Sequence, residues 1–160
     1  MRRAALDERL AALGLRLPDV AAPVAAYVPA VRSGSYVYTS GQLPFVDGVL
    51  AVTGKVGIGP GLVDPAAARV LAQRSALNAL AAVLSVIGPD AEFRVVKVVG
   101  FVASDPSFTG QPSVVNGASE LLGEVLGESG VHARSAVGVA VLPLDSPVEI
   151  ELVVELLGVV

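Results

Sequence analysis

The sequence predicts a single α/β domain of the α+β kind, in which two long helices cover one face of a five- to six-stranded sheet. Three observations carry this. A chain of 160 residues suits one domain with a real core. Hydrophobic residues make up 53% and charged residues 16%, which excludes intrinsic disorder. The apolar pattern alternates between strand-like runs and two stretches of helical period, in the order ββ(β)αβαββ.

Each element has a local reason. Residues 7–14 form a short amphipathic helix with Leu6, Leu10 and Leu13 on one side and Gly14 as its stop. Residues 15–29 hold Pro18, Pro23 and Pro29 and read as an extended lead-in. Residues 27–32 and 36–42, rich in Val, Tyr and Thr around Ser33-Gly34-Ser35, read as a hairpin. Residues 44–62 are loop-like and glycine-rich, with room for a short strand over 49–56. Asp64 as N-cap and Pro65 in the first turn open a helix over 64–87, with Val70, Leu71, Leu77, Leu80, Leu84 and Ile87 largely at spacings of three and four. A nearly all-apolar strand, expected to be buried on both faces, covers 94–102. A second helix covers 113–126, a strand 133–142, and a last strand 148–157 alternates Val148, Ile150, Leu152, Val154 and Leu156 against Glu149, Glu151 and Glu155. Two helices leave the other sheet face bare, so an oligomer is expected.

Composition removes whole classes of function. There is no cysteine, hence no disulfide framework, thiol nucleophile or thiolate metal site. The one histidine, His132, excludes a His-rich metal site and reads as an ordinary surface residue beside a strand. Eleven basic against fifteen acidic residues give a net charge of −4, with no basic stripe for nucleic acid. Mean hydropathy is high at +0.69. Yet the longest uncharged run, 75–89, is 15 residues and contains Asn78, too short to span a bilayer. The N-terminal segment turns charged too soon for a signal peptide, so a cytoplasmic protein without membrane partners is expected, its apolar excess going into subunit contact.

Most catalytic templates fail: there is no P-loop and no dinucleotide fingerprint after a strand. Arg134 opens a strand whose alternate residues Ala136, Gly138 and Ala140 are small, so a guanidinium there could grip a carboxylate bidentately; an exposed strand-end arginine is the bland alternative. A partly buried glutamate among Glu149 and Glu151 would have a raised pKa suited to proton transfer, whereas Glu155 reads as solvated. In a simple hairpin about Leu144-Asp145, Glu149 would pair near Ala140, leaving Arg134 roughly 20 Å away. Either the two strands are not neighbours or the site is shared between subunits.

The segment Ala133-Arg134-Ser135-Ala136-Val137-Gly138-Val139-Ala140-Val141-Leu142-Pro143, followed by Val148-Glu149-Ile150-Glu151, resembles the C-terminal signature of the RidA (YjgF) family of enamine/imine deaminases. Tyr27, the run Tyr38-Thr39-Ser40-Gly41-Gln42-Leu43-Pro44, and Asn116 resemble that family's tyrosine, Ser-Gly-Gln segment and helix asparagine. The resemblance spans about residues 20–157. It implies a chorismate mutase-like sandwich, assembled as a homotrimer around a central barrel with helices outside. It also implies that the last strand is inserted between others and that sites lie between subunits. Carried over, it makes Arg134 the anchor for the carboxylate of a short 2-imino or 2-enamino acid and Glu149 the residue that holds and activates water. Ser40 and Gly41 would orient water or the leaving nitrogen, and Tyr27, Asn116 and Ala136 would line the pocket. The products would be a 2-keto acid and ammonia, with no cofactor and no metal. The sequence departs from the pattern at Ala136, where the family often has cysteine, in a 116–134 segment one residue longer, in the longer loop 44–62, and in the helical extension 1–19. Those departures resemble a divergent branch often labelled endoribonuclease L-PSP. The alternative reading is a non-catalytic trimer that binds small carboxylates; RNA cleavage ranks last on charge.

Overall fold

The computed structural model describes residues 1–20 and 26–158. Helix α1, Arg3–Ala12, begins four residues before the expected start and buries Leu6 and Leu10, one turn apart, against α3. Leu13 was expected on the same side but falls beyond the last turn and is exposed. Of the expected extended lead-in, residues 15–20 and 26–29 carry no regular secondary structure; Pro23 lies outside the described residues.

Strands β1, Ala30–Ser33, and β2, Tyr36–Thr39, form the expected hairpin, with Gly34 at φ 60° in its turn. The optional strand over 49–56 does not form. Val46 and Val49 close instead a two-residue turn on Asp47 and Gly48, both at positive φ, and Val56 makes single bridges to Val63 and Ser104.

Helix α2, Pro65–Leu84, starts as expected: the Asp64 side chain accepts from the Ala66 and Ala67 backbone N–H groups at 2.8 and 3.3 Å. Its first half faces the core through alanines, Ala68, Ala72 and Ala76, while Val70 is 63% exposed. Helix α3, Gln111–Leu126, lies beside it so closely that a Cβ on Gly117 would overlap the Arg69 carbonyl. This close approach is what the small residues provide.

Strands β3, Glu92–Ala103, β4, Ala133–Val139, and β5, Val148–Leu157, complete a mixed five-stranded sheet of order β1-β2-β5-β3-β4. Only β3 and β4 are parallel. The C-terminal strand is therefore inserted between β2 and β3, and β4 and β5 are not neighbours. Strand β4 stops at Val139, short of the expected 142, before a tight turn with Leu144 and Asp145 at positive φ.

The helices cover one sheet face, burying Val37, Val95, Val98, Val102, Ile150, Leu152 and Val154. The opposite face carries Tyr36, Tyr38, Val137 and Val153 among Glu149, Glu151 and Glu155; in the single chain Tyr38 is 47% and Val137 42% exposed. Strand β3 is accordingly buried on its helix face, whereas Val99 and Phe101 on the other are half-buried, contrary to the expected two-sided burial. Among the described residues no helix is long and apolar enough to cross a membrane.

Candidate functional site

Two separate clusters hold the residues that the sequence singles out. The first is built on β4 and α3. Arg134 pairs with Val98 of β3, so its side chain shares the helix face, and it turns along α3. Nη1 donates to Asn116 Oδ1 at 2.8 Å and to Ser119 Oγ at 3.1 Å; Nη2 donates to the Pro112 carbonyl at 3.3 Å. Asn116 and Ser119 are three residues apart on α3 and so present one face to Arg134. Among the described residues, Nε and the second Nη2 hydrogen have no partner. They are adjacent N–H groups of one planar fork, the geometry that a carboxylate takes bidentately.

The surroundings of Arg134 are tighter than the small residues of β4 suggest. Ala136 lies over Gly100 and packs against the core, and the space beside Gly138 is filled by Gln111, whose Nε2 donates to Ser104 Oγ at 3.2 Å. Asn116, expected to line a pocket, instead orients the guanidinium directly.

The second cluster lies on the open face, where residues 39–42 run beside β5. Thr39 Oγ1 accepts from the Leu152 N–H at 2.9 Å, and Gln42 and Ile150 exchange backbone hydrogen bonds of 2.9 and 3.0 Å. This lays Gly41 under the Glu149 side chain, and a Cβ at Gly41 would overlap the Glu149 carboxyl. Glycine is needed here for space alone. Burial pushes the Glu149 pKa up, and the neighbouring Glu151 carboxylate raises it further; burial raises Glu151 as well. Glu155, further along the same face, is paired with Arg94 at 2.7 Å.

Ser40 donates to the Val28 carbonyl at 2.7 Å, and its N–H to the Pro29 carbonyl at 2.9 Å. The segment that carries Tyr27 is thereby tied to the Ser-Gly-Gln run. Tyr27 itself is 43% exposed.

The two clusters do not meet within one chain. Strand β3 separates them, with Arg134 in register with Val98 and Glu149 in register with Phe101. An odd separation along a strand puts side chains on opposite faces.

The reading of His132 as an ordinary surface residue is corrected. It is half-buried, with Nε2 at 3.0 Å from Ser119 Oγ and Nδ1 at 2.5 Å from the Gly130 carbonyl. Ser119 was also missed, although its spacing of three from Asn116 was the available signal. Among the described residues no cluster of three or more His, Asp or Glu side chains is placed to hold a metal ion.

Comparisons with known proteins agree with this architecture. The family described as "YjgF/chorismate_mutase-like, putative endoribonuclease" matches residues 7–156. The chain is 44% identical over 146 residues to Protein TCP17 of Trypanosoma cruzi, covering 90% of this chain and 89% of that protein. It is similar to the crystal structure of Atu1372 from Agrobacterium tumefaciens, a protein of unknown function, at 46% identity and TM-score 0.86, covering 96% of this chain and 93% of that one. It is also similar to the YjgF gene product of E. coli at 28% identity and TM-score 0.59, covering 86% and 93%. With a match running from α1 to the end of β5, and with β5 inserted into the middle of the sheet, the chain belongs to the YjgF/chorismate mutase-like family.

Proposed function

We propose that the protein is a hydrolytic deaminase of short 2-imino and 2-enamino acids, with Arg134 of one subunit and Glu149 of another facing one cleft of a homotrimer. The observation that carries this reading is the Glu149 carboxyl, laid over Gly41 and held by burial and Glu151 at a pKa above the ordinary glutamate range. Such a group is tuned to accept a proton from water and return it. The open hydrogens on Nε and Nη2 of Arg134 supply the matching anchor for the substrate carboxylate.

In this mechanism Arg134 fixes the carboxylate beside the imine carbon. Glu149 takes one proton from water as the water oxygen bonds to C2 and returns it to the imine nitrogen, giving a carbinolamine. The carbinolamine hydroxyl proton then passes by way of Glu149 to the amino nitrogen, the C–N bond breaks as the C2 carbonyl forms, and ammonia leaves. One imino acid and one water give one 2-keto acid and one ammonia. Gly41 leaves room for the carboxyl; Ser40, Tyr27, Asn116 and Ala136 line or orient the site. No cofactor takes part.

The homotrimer is motivated by the open sheet face, where Tyr36, Tyr38 and Val137 are exposed in the single chain. It is also motivated by Arg134 and Glu149 standing on opposite faces of their own sheet. The deciding experiment generates imines in situ with an amino-acid oxidase and measures keto-acid and ammonia release above the uncatalysed rate. A rate no higher than background would overturn the deaminase. One observation favours a second reading, a trimer that binds small carboxylates without catalysis: Arg134 is held by its own chain and does not need Glu149 to bind. RNA cleavage, named in the family description, ranks below both on a net charge of −4.

A further inference from the structure

We propose that His132 is a positioning residue for Arg134: acting through Ser119, it fixes the rotation of the guanidinium and so sets how tightly the carboxylate of a ligand is held. The inference rests on the reading of Arg134 as the carboxylate anchor.

The direction of each hydrogen bond follows from what each atom can do. The Gly130 carbonyl only accepts, so the ring nitrogen 2.5 Å from it, Nδ1, carries the hydrogen. In a neutral imidazole Nε2 is then an acceptor. Ser119 Oγ, 3.0 Å away, has one hydrogen and donates it to Nε2. The lone pairs of that hydroxyl are left for Arg134 Nη1 at 3.1 Å. The chain therefore runs one way, from Arg134 to Ser119 to His132 to Gly130, and bonds aligned in this sense strengthen one another.

Both ends are anchored. Gly130 is buried in the turn Gly127–Gly130, and a Cβ there would overlap the Leu122 carbonyl, so its backbone rests on the last turns of α3. Asn116 Oδ1 takes the other Nη1 hydrogen. With Nη1 spent and one Nη2 hydrogen on the Pro112 carbonyl, the guanidinium is left one outward edge, Nε and Nη2. Without the imidazole, the Ser119 hydrogen is free to swing toward other acceptors or toward Arg134. The oxygen is then a poorer acceptor for Nη1, and the guanidinium gains freedom to rotate its outward edge away. Losing that preorganisation costs affinity for the anion.

Calorimetric titration of the intact protein with 2-ketobutyrate tests this, using Arg134→Ala, Ser119→Ala, His132→Ala, His132→Gln and the Ser119→Ala/His132→Ala pair. One neutral hydrogen bond in the chain corresponds to about a 2- to 10-fold change in affinity. Arg134→Ala should abolish binding. His132→Ala and Ser119→Ala should each weaken it within that range, and the pair should be no worse than the weaker single, because His132 acts only through Ser119. His132→Gln, whose amide can accept from Ser119 and donate to Gly130, should recover part of the loss. In turnover, KM should rise in His132→Ala while kcat at saturation holds. Wild-type affinity in His132→Ala alongside lost binding in Arg134→Ala would overturn the positioning role, as would losses that multiply in the pair. Undiminished binding in Arg134→Ala would overturn the anchor itself, and this inference with it. The chain has one histidine, so long-range nitrogen-15 correlation spectra of the wild type give a readout that no variant's folding can obscure. They should report an Nδ1–H ring; an Nε2–H ring would refute the hydrogen-bond direction.

Discussion

Arg134 and Glu149 stand on opposite faces of one sheet, with β3 between them: Arg134 is in register with Val98, Glu149 with Phe101. A ligand that touches both must therefore touch two chains. Light scattering should report a homotrimer of the 16.1 kDa chain at working concentration. Mixing inactive Arg134→Ala and Glu149→Gln chains should restore part of the activity, since some mixed interfaces receive both wild-type residues. Verified mixed trimers without recovered activity would place each site within a single chain.

Arg134→Ala should abolish carboxylate binding while circular dichroism and melting stay near wild type. The side chain is half-exposed and makes its hydrogen bonds along α3 rather than into the core. Arg134→Lys should recover little, because a point charge replaces a planar fork.

Glu149→Gln should lower the deamination rate about 10²- to 10⁴-fold and leave keto-acid binding at Arg134 intact. The pH profile provides a second check. A base works deprotonated, and the Glu149 pKa is raised. The wild-type rate should therefore climb with pH through a midpoint above the ordinary glutamate value, and the Gln variant should lose that limb. In stability the sign is opposite. A raised carboxyl favours the fold when protonated and loses that contribution as pH rises through its folded pKa. Glu149→Gln should thus melt slightly higher than wild type at neutral pH, the difference closing in acid.

Gly41→Ala should damage catalysis more than binding. The added methyl occupies the space of the Glu149 carboxyl, so the carboxyl must move, while Arg134 is untouched. A rate loss on the scale of Glu149→Gln with unchanged keto-acid affinity is expected; an unchanged rate would show that the carboxyl has no fixed station over Gly41.

Gly117→Ala should destabilise the fold by forcing α3 away from α2. The methyl meets the backbone carbonyl of Arg69, which cannot yield as a side chain can. Overpacking of this kind costs about 1–3 kcal/mol, a drop in Tm of roughly 2–4 °C for each kcal/mol. Differential scanning calorimetry measures it directly.

Much of this molecule was legible in its sequence where local chemistry decides. Asp64-Pro65 opens α2, and the alternation from Val148 to Leu156 gives β5 its two faces. The difficulty of joining Arg134 to Glu149 in one hairpin leaves two alternatives, strands that are not neighbours or a site shared between subunits, and the sheet order shows the first. What failed was non-local. Val56 finds only single bridges, so the optional strand dissolves into loop. The helical period drew Val70 into the list of repeating apolar residues, but the inward positions of the first half of α2 are alanines, which allow close approach, whereas Leu77, Leu80 and Leu84 in its second half are buried as expected. His132 has no local signature; its meaning comes from Ser119, thirteen residues away on another element.

The place of β5 also governs the order in which the sheet can assemble. It comes last of the five strands, yet it pairs with β2 through Val37 and Val154 and with β3 through Val98 and Leu152. During synthesis the β1–β2 hairpin has no lateral partner until the C-terminal segment has emerged, and closing so long a loop is slow. The helices and the β3–β4 pair can dock earlier, leaving a gap in the middle of the sheet. A ribosome-bound chain stopped before Val148 is thus a frame with its keystone missing, and its exposed β2 and β3 edges are the ones most open to pairing with a neighbouring chain.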